Sequence, residues 1–361
     1  RTLITGVDAE GRSCIVSEDE LVLDQLAPGF AMGVPFATLL LAGCGPAAAP
    51  SSAPPRDGYP LTLHNCGREV TVHQPPQRII SLNQGSTEVL LSLGVADRMA
   101  GTAGWTDPVL PSLAADNENV ERLADQAPSF ETVLDREPDL VTASLQGTLG
   151  PGGVTTPAAL DRLGVPAYMS AIECTKEVGN SDGARSTTLE IDQVFTEIRD
   201  VATLVGEQDR GEEIVADMQR RLEALTATDH RGVSVLYWFA NAESPYMAGC
   251  CGGPGVITRT LGLTNVFDDS PQDWPQIGWE TVAERDPQVL ILGDLTRKSQ
   301  TAESAEAKIA FLESNPVTRE MTAVKNRRYI ALAGAELNPS IRIVDAMEKV
   351  AGGLRDHGLA D

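Results

Sequence analysis

Few residues in this chain of 361 could do chemistry. There are four histidines, His64, His73, His230 and His357, and six cysteines, Cys14, Cys44, Cys66, Cys174, Cys250 and Cys251. Their spacing lacks the paired short-loop ligands of a structural zinc site, so a metal held by the protein itself is not expected. No G-x-S-x-G, Walker lysine loop, G-x-G-x-x-G after a strand or H-E-x-x-H is present, and Gly252-Gly-Pro-Gly255 lacks the Lys-Ser/Thr that completes a phosphate loop. These absences argue against an enzyme. What clusters instead is aromatic and amide residues at the carboxyl ends of predicted strands: Gln84, Trp105, Gln146 and Trp238, with Trp274 and Tyr246 nearby. Such groups stack on and hydrogen-bond a ligand, and in open α/β sheets ligands bind at those strand ends.

The elements that must carry these residues read as two α/β lobes. Pro60 to His64 and Glu69 to His73 alternate around Asn65-Cys66-Gly67 as a hairpin. Strands then follow at Arg78 to Leu82, Met99 to Gly101, Leu140 to Ala143 and Ala167 to Met169, with helices at Gly85 to Leu93, Phe130 to Arg136 and Pro157 to Leu163. This order predicts a four-strand parallel lobe. The second half repeats it. Phe130-Glu-Thr-Val-Leu-Asp-Arg-Glu-Pro138 returns as Trp279-Glu-Thr-Val-Ala-Glu-Arg-Asp-Pro287, each copy running into an apolar strand, and Glu88 to Asp97 is echoed by Val256 to Asn265. The same order in each half points to duplication of a lobe. Between the halves, from Thr187 to about Thr226, apolar residues fall at three- and four-residue steps with a break at Gly206. A long helix there would act as a rigid strut. The predicted organisation is 1–43 as a signal-like segment with an N-terminal extension, 44–57 as a linker, 58–186 and 231–361 as lobes, and 187–230 as connecting helices.

The formal charge is −23, spread along the chain, which excludes nucleic acid and anionic membrane as partners of the surface at large and favours a basic docking partner. Gly29 to Cys44 is apolar over the length of a signal-peptide core, too short to span a bilayer. It ends in Leu41-Ala42-Gly43-Cys44, which resembles the bacterial lipobox whose cysteine receives a diacylglycerol. The Pro/Ala/Ser run after it reads as a tether. Against this, Glu18, Asp19, Glu20 and Asp24 precede the apolar core where positive charge is expected. Residues 1 to about 28 look instead like a small hairpin, and a misplaced start or a fused fragment accounts for them. With Cys14 removed and Cys44 lipidated, Cys66, Cys174, Cys250 and Cys251 remain for disulfides in an exported protein, in any of three pairings. Adjacent Cys250 and Cys251 are not expected to bond each other, because the small ring strains the backbone.

The lipobox, the hairpin followed by Arg78-Ile-Ile-Ser-Leu-Asn-Gln-Gly-Ser-Thr-Glu88, the repeated Glu-Thr-Val unit, Asp273-Trp-Pro-Gln-Ile-Gly278 and the connecting helix together resemble the substrate-binding lipoproteins of ABC importers for ferric siderophores, cobalamin and haem. The resemblance covers about residues 58 to 358. It implies two α/β lobes bridged by one long helix, small closure on ligand, a monomer outside the cytoplasm, and a lipid on Cys44 holding it to the membrane. It also implies that Glu131 and Glu280, one in each repeat, meet arginines of the permease dimer. Trp274 matches a pocket-lining position, Trp105 a common second aromatic, and Asn338 lies in the loop that borders the cleft. Where members that bind anionic ligands often carry a cleft arginine, this chain has Leu337, and no histidine falls at a predicted cleft edge for haem. The expected cargo is a ferric siderophore of hydroxamate or mixed type, with no cofactor and no iron ligand from the protein. Cobalamin or another chelate is the alternative within the class. A chelatase-like or nitrogenase-like enzyme using Cys174, Cys250 and Cys251 as ligands is the alternative outside it.

Overall fold

The computed structural model describes residues 4–7, 13–17, 58–176, 184–185, 187–227, 230–296 and 303–360. The chain divides into Arg1–Asp57 and Gly58–Asp361. In the first unit, β1 (Ile4–Val7) and β2 (Ser13–Ser17) pair antiparallel, with Gly6 opposite Cys14. The apolar core of the signal-like segment, Cys44 and the 44–57 linker lie outside the described residues. No helix among the described residues is long and apolar enough to cross a membrane.

The second unit opens with the hairpin β3 (Leu61–Asn65) and β4 (Arg68–Val72). Its two turn residues, Cys66 and Gly67, have φ of 47° and 76°, the left-handed pair of a turn whose twist matches the strands it joins. The first lobe continues through β5 (Ile79–Ser81), α1 (Gln84–Ser92), β6 (Met99–Thr102), α2 (Ala114–Asn117), α3 (Phe130–Leu134), β7 (Leu140–Ala143), α4 (Pro157–Asp161) and β8 (Ala167–Met169). The four strands are parallel in the order β6-β5-β7-β8. They are buried on both faces, as apolar runs in parallel sheets require. Ile79, Leu140 and Tyr168 join one core with Leu90 and Phe195, whereas Ile80, Val141 and Ala167 join another with Val133 and Leu160.

The connection consists of α5 (Ile191–Val205) and α6 (Gln208–Thr226). Gly206 ends α5 at φ 78°, a left-handed position suited to glycine, and the chain folds back. Arg199 Nε bonds Glu212 Oε1 at 2.8 Å, and a side chain on Gly211 would lie 2.5 Å from Ala202 Cβ, so the helices need glycine there to meet. The strut is therefore α6, one arm of a helical hairpin. Arg210 near its start bonds Ser92 O of the first lobe, and Arg221 near its end bonds Glu348 of the second.

The second lobe comprises β9 (Ser234–Ala240), β10 (Tyr246–Met247), α7 (Gly253–Thr260), β11 (Thr264–Asn265), α8 (Trp279–Arg285), β12 (Val289–Asp294), α9 (Ala305–Ser314), α10 (Thr322–Lys325), β13 (Tyr329–Ala333), α11 (Gly334–Leu337) and α12 (Ile343–Asp356). Its sheet runs β10-β9-β12-β13 with β11 beside β9, parallel except for the edge strand β10. The fold class is the expected one, two parallel-sheet α/β lobes joined by helices.

Cys66 bonds Cys174, tying the hairpin turn to the segment after β8, with Cα atoms 4.8 Å apart. Cys250 and Cys251 bond each other, which corrects the expectation that adjacent cysteines would not. Once Cys66 and Cys174 are joined, Cys250 and Cys251 are the two cysteines left within Gly58–Asp361, and surrounding hydrogen bonds pin their backbone. Cys250 N donates to Ser270 O, Cys250 O accepts from Arg259, and Cys251 O accepts from Leu189 N. With all four in disulfides, no thiolate remains for the metallo-enzyme alternative.

Candidate functional site

A cleft between the lobes holds a cavity of about 150 Å³. Its first-lobe wall comes from the turns that follow β5, β6, β7 and β8, and its second-lobe wall from Gly253, Asp273, Trp274 and the segment Ala335 to Ser340. These are the carboxyl ends of strands, where parallel sheets bind ligands.

The first-lobe wall is polar but internally satisfied. Asn83 Oδ1 accepts from Ser144 N at 3.0 Å and Leu145 N at 3.2 Å, and its Nδ2 donates to Thr148 Oγ1. Gln84, the first residue of α1, lines the cavity, yet both ends of its amide are occupied. Its Oε1 accepts from Thr106 N, Thr106 Oγ1 and Asp107 N, and its Nε2 donates to Glu88 and Pro108 O. Buried polar groups paired in this way shape a wall and leave little to offer a ligand. Leu145 differs. It lines the cavity at 43% exposure and is one of only two large hydrophobics so exposed among the described residues.

On the opposite wall Trp274 lines the cavity and packs against Phe239, ring centroids 4.8 Å apart, with Asn338 beside it. Trp238 does not join them. The apolar run Val233 to Tyr237 predicts a strand that stops just before Trp238 and leaves it at the cleft, but β9 runs on to Ala240. Alternation within the strand then turns Tyr237 toward Thr258 of α7 and Trp238 into the core against Trp279 and Phe311, at 1% exposure. Trp105 is likewise a packing residue and not a wall residue. Its indole N–H donates to Thr102 Oγ1 at 3.2 Å, and the Arg122 guanidinium lies 4.5 Å from the ring centroid. Gln146 is half-buried beside the lining, its backbone N bonded to Glu173, and Tyr246 sits on edge strand β10 opposite Ala240, outside the lining.

Charged pairs span the two lobes at the cavity. Glu88 of α1 forms a two-pronged ion pair with Arg342 ahead of α12, its Oε2 2.7 Å from Nε. Both are buried, where a paired arginine and carboxylate must satisfy each other. Asp107 adds an interlobe bond to Ala335 N at 2.7 Å. On the other side, Lys176 Nζ lies 2.8 Å from Glu173 and 3.5 Å from Asp273, and Arg185 bonds Asp273 at 2.9 and 3.0 Å. Behind Glu173, burial together with the charges of Glu173 and Asp200 raises the Glu197 carboxyl to about 7, with Ser170 opposing the shift.

Leu337, at the place where anion-binding members often carry arginine, is fully buried and does not face the cleft. Glu173, Lys176 and Leu145 went unrecognised in the sequence because they sit on turns with no periodic signal. Asp273 stood in the same Asp-Trp-Pro-Gln stretch as Trp274 and could have been found with it. Glu131 and Glu280 are not among the residues that line the cavity. Each is exposed in the first turn of its repeat helix, α3 or α8, and neither makes an ion pair with another described residue.

The family described as Periplasmic binding protein matches residues 79–335. The vitamin B12-binding protein of Vibrio cholerae is 26% identical over 279 residues, 76% of this chain and 88% of that one. Among solved structures, a periplasmic binding protein from Veillonella parvula superposes with a TM-score of 0.71 at 24% identity, covering 82% of this chain and 97% of its own. One titled as an ABC-type Fe3+-hydroxamate transport system, from Saccharomonospora viridis, gives 0.67 at 24% identity, covering 82% and 99%. These two likenesses show the fold.

Proposed function

Because this chain belongs to the periplasmic binding protein family, whose members bind substrates and are not enzymes, we propose that it delivers a ferric siderophore of hydroxamate or mixed type to an ABC import permease. The observation that carries this reading is the cleft itself. Apolar Leu145 and Trp274 reach it from opposite lobes between hydrogen-bonded polar walls, a surface suited to an already chelated metal. The carboxylates that line it, Glu88, Glu173 and Asp273, are engaged by Arg342, Lys176 and Arg185, which favours iron that arrives with its own ligands. The cavity is smaller than the roughly 300–1,000 Å³ of typical ligand sites, so the chelate rests partly on the rim at Leu145. The Cys66–Cys174 disulfide supports an oxidising compartment, and the lipobox-like Cys44 supports a lipid anchor on the outer face of the membrane. Glu131 and Glu280 are the docking carboxylates for the permease, and the protein acts as a monomer.

Tryptophan fluorescence tests the cargo. Titration with a ferric trihydroxamate should quench the emission of Trp274. Absence of quenching by every iron chelate would overturn the siderophore reading, and quenching by cyanocobalamin alone would replace it with a cobalamin carrier, the reading favoured by the Vibrio cholerae relative.

A further inference from the structure

Among the described residues that line the cavity, the one cation is Lys176, against the carboxylates of Glu88, Glu173 and Asp273. Each of these charges is already matched. Glu88 is taken by Arg342, and Asp273 is gripped by Arg185 through its Nε and Nη2, one bond to each carboxylate oxygen. Lys176 is then held between Glu173 of the first lobe, at 2.8 Å, and Asp273 of the second, at 3.5 Å. Glu173 is itself fixed, accepting from Gln146 N at 2.9 Å and lying 3.9 Å from Arg185. Among the described residues, two acids and two bases thus balance to zero on this side of the cleft, with no positive charge left over for a ligand.

We infer that the clamp of Lys176 between Glu173 and Asp273 sets the charge selectivity of the cleft, the two carboxylates occupying the one described cation of the lining and so excluding chelates that carry net negative charge. This rests on the chelate-binding reading above and narrows it. An anionic complex entering the cleft would lose its hydration without gaining an unpaired cation, and would pull Lys176 away from two carboxylates that then repel it. A neutral ferric trihydroxamate meets neither penalty. The same clamp links the lobes, so its charge state is felt where the cleft closes.

The test uses the whole protein and two ferric probes, a neutral trihydroxamate and a trianionic tris-catecholate, with affinities read from tryptophan quenching. In the unaltered protein the tris-catecholate should bind at least about a hundredfold more weakly. Glu173→Gln frees the ammonium and should narrow that gap by about tenfold, whereas Lys176→Gln leaves an acid unmatched and should widen it by about tenfold. Glu173 is buried and its variant could fail to fold. Lys176, with its side chain 20% exposed, is the safer change, and its effect on the gap then decides alone. Equal affinity for the two probes in the unaltered protein overturns the inference while leaving a chelate carrier. A gap that stays constant while both affinities fall together makes Lys176 a structural latch and overturns it as well. Binding of neither probe removes the ferric-chelate reading and this inference with it.

Discussion

Phe130 to Pro138 and Trp279 to Pro287 fold into the same unit, a short helix with an exposed glutamate in its first turn, a buried valine on its inner face and a proline leading into a buried strand. They agree even in backbone detail, since Glu137 and Asp286, each just before the proline, both adopt the left-handed conformation, at φ 46° and 38°. The walls that the two lobes present to the cleft do not agree. The first lobe offers side chains such as Asn83 and Gln84 that are tied to backbone of the same lobe, while the second offers Trp274 packed at a tilt against Phe239. The two halves share this scaffold and the exposed glutamate it carries. At the cleft the two lobes differ.

The comparison can be broken most sharply at the tryptophans. Trp238→Ala should destabilise the second lobe by about 3–5 kcal/mol, because it empties a packed core, and should lower the unfolding midpoint in denaturant. Trp274→Ala should leave that midpoint nearly unchanged and weaken cargo binding by about tenfold through lost stacking. A cargo effect from Trp238→Ala without loss of stability would return that residue to the cleft wall. Next in size, Glu131→Ala combined with Glu280→Ala should reduce transport into cells by at least about tenfold while cargo affinity measured on the isolated protein stays constant. If affinity falls with transport, the two glutamates are not docking groups. The smallest effect separates the two copies themselves. Glu137→Gly relieves a left-handed glutamate and should stabilise by about 0.5–1 kcal/mol. Asp286→Gly should bring no such gain, because the Asp286 carboxylate accepts from both the backbone N and the hydroxyl of Thr322 at 2.6 Å. Equal gains at both positions, measured by chemical denaturation, would show that this bond does not contribute.

The two lobes, the order of strands and helices and the hairpin at Asn65 to Arg68 were legible in the sequence because each rests on local signals. Period-two runs, proline after a short helix and glycine at a helix end are all properties of neighbouring residues. Gly206 also announced the break between the connecting helices, although not that α5 and α6 would fold back on each other, which depends on the close approach at Gly211 and Ala202. The cleft was legible only in part. Gln84, Trp274 and Asn338 line it, while Trp105 and Trp238 were assigned to it from positions near strand ends and lie in packing sites. An error of three residues in where β9 ends was enough to move an indole from solvent to core, because successive side chains point to opposite faces.

By itself, then, the sequence determined the duplicated α/β framework, the acidic surface and the paired glutamates, since periodicity, composition and repetition are one-dimensional properties that survive without knowledge of contacts. Tertiary structure alone decided which aromatics line the cleft, that Cys66 pairs with Cys174 and Cys250 with Cys251, and that Lys176 is held between carboxylates from two different lobes. Those outcomes depend on residues separated by tens to hundreds of positions meeting in space, and only the folded chain supplies that proximity.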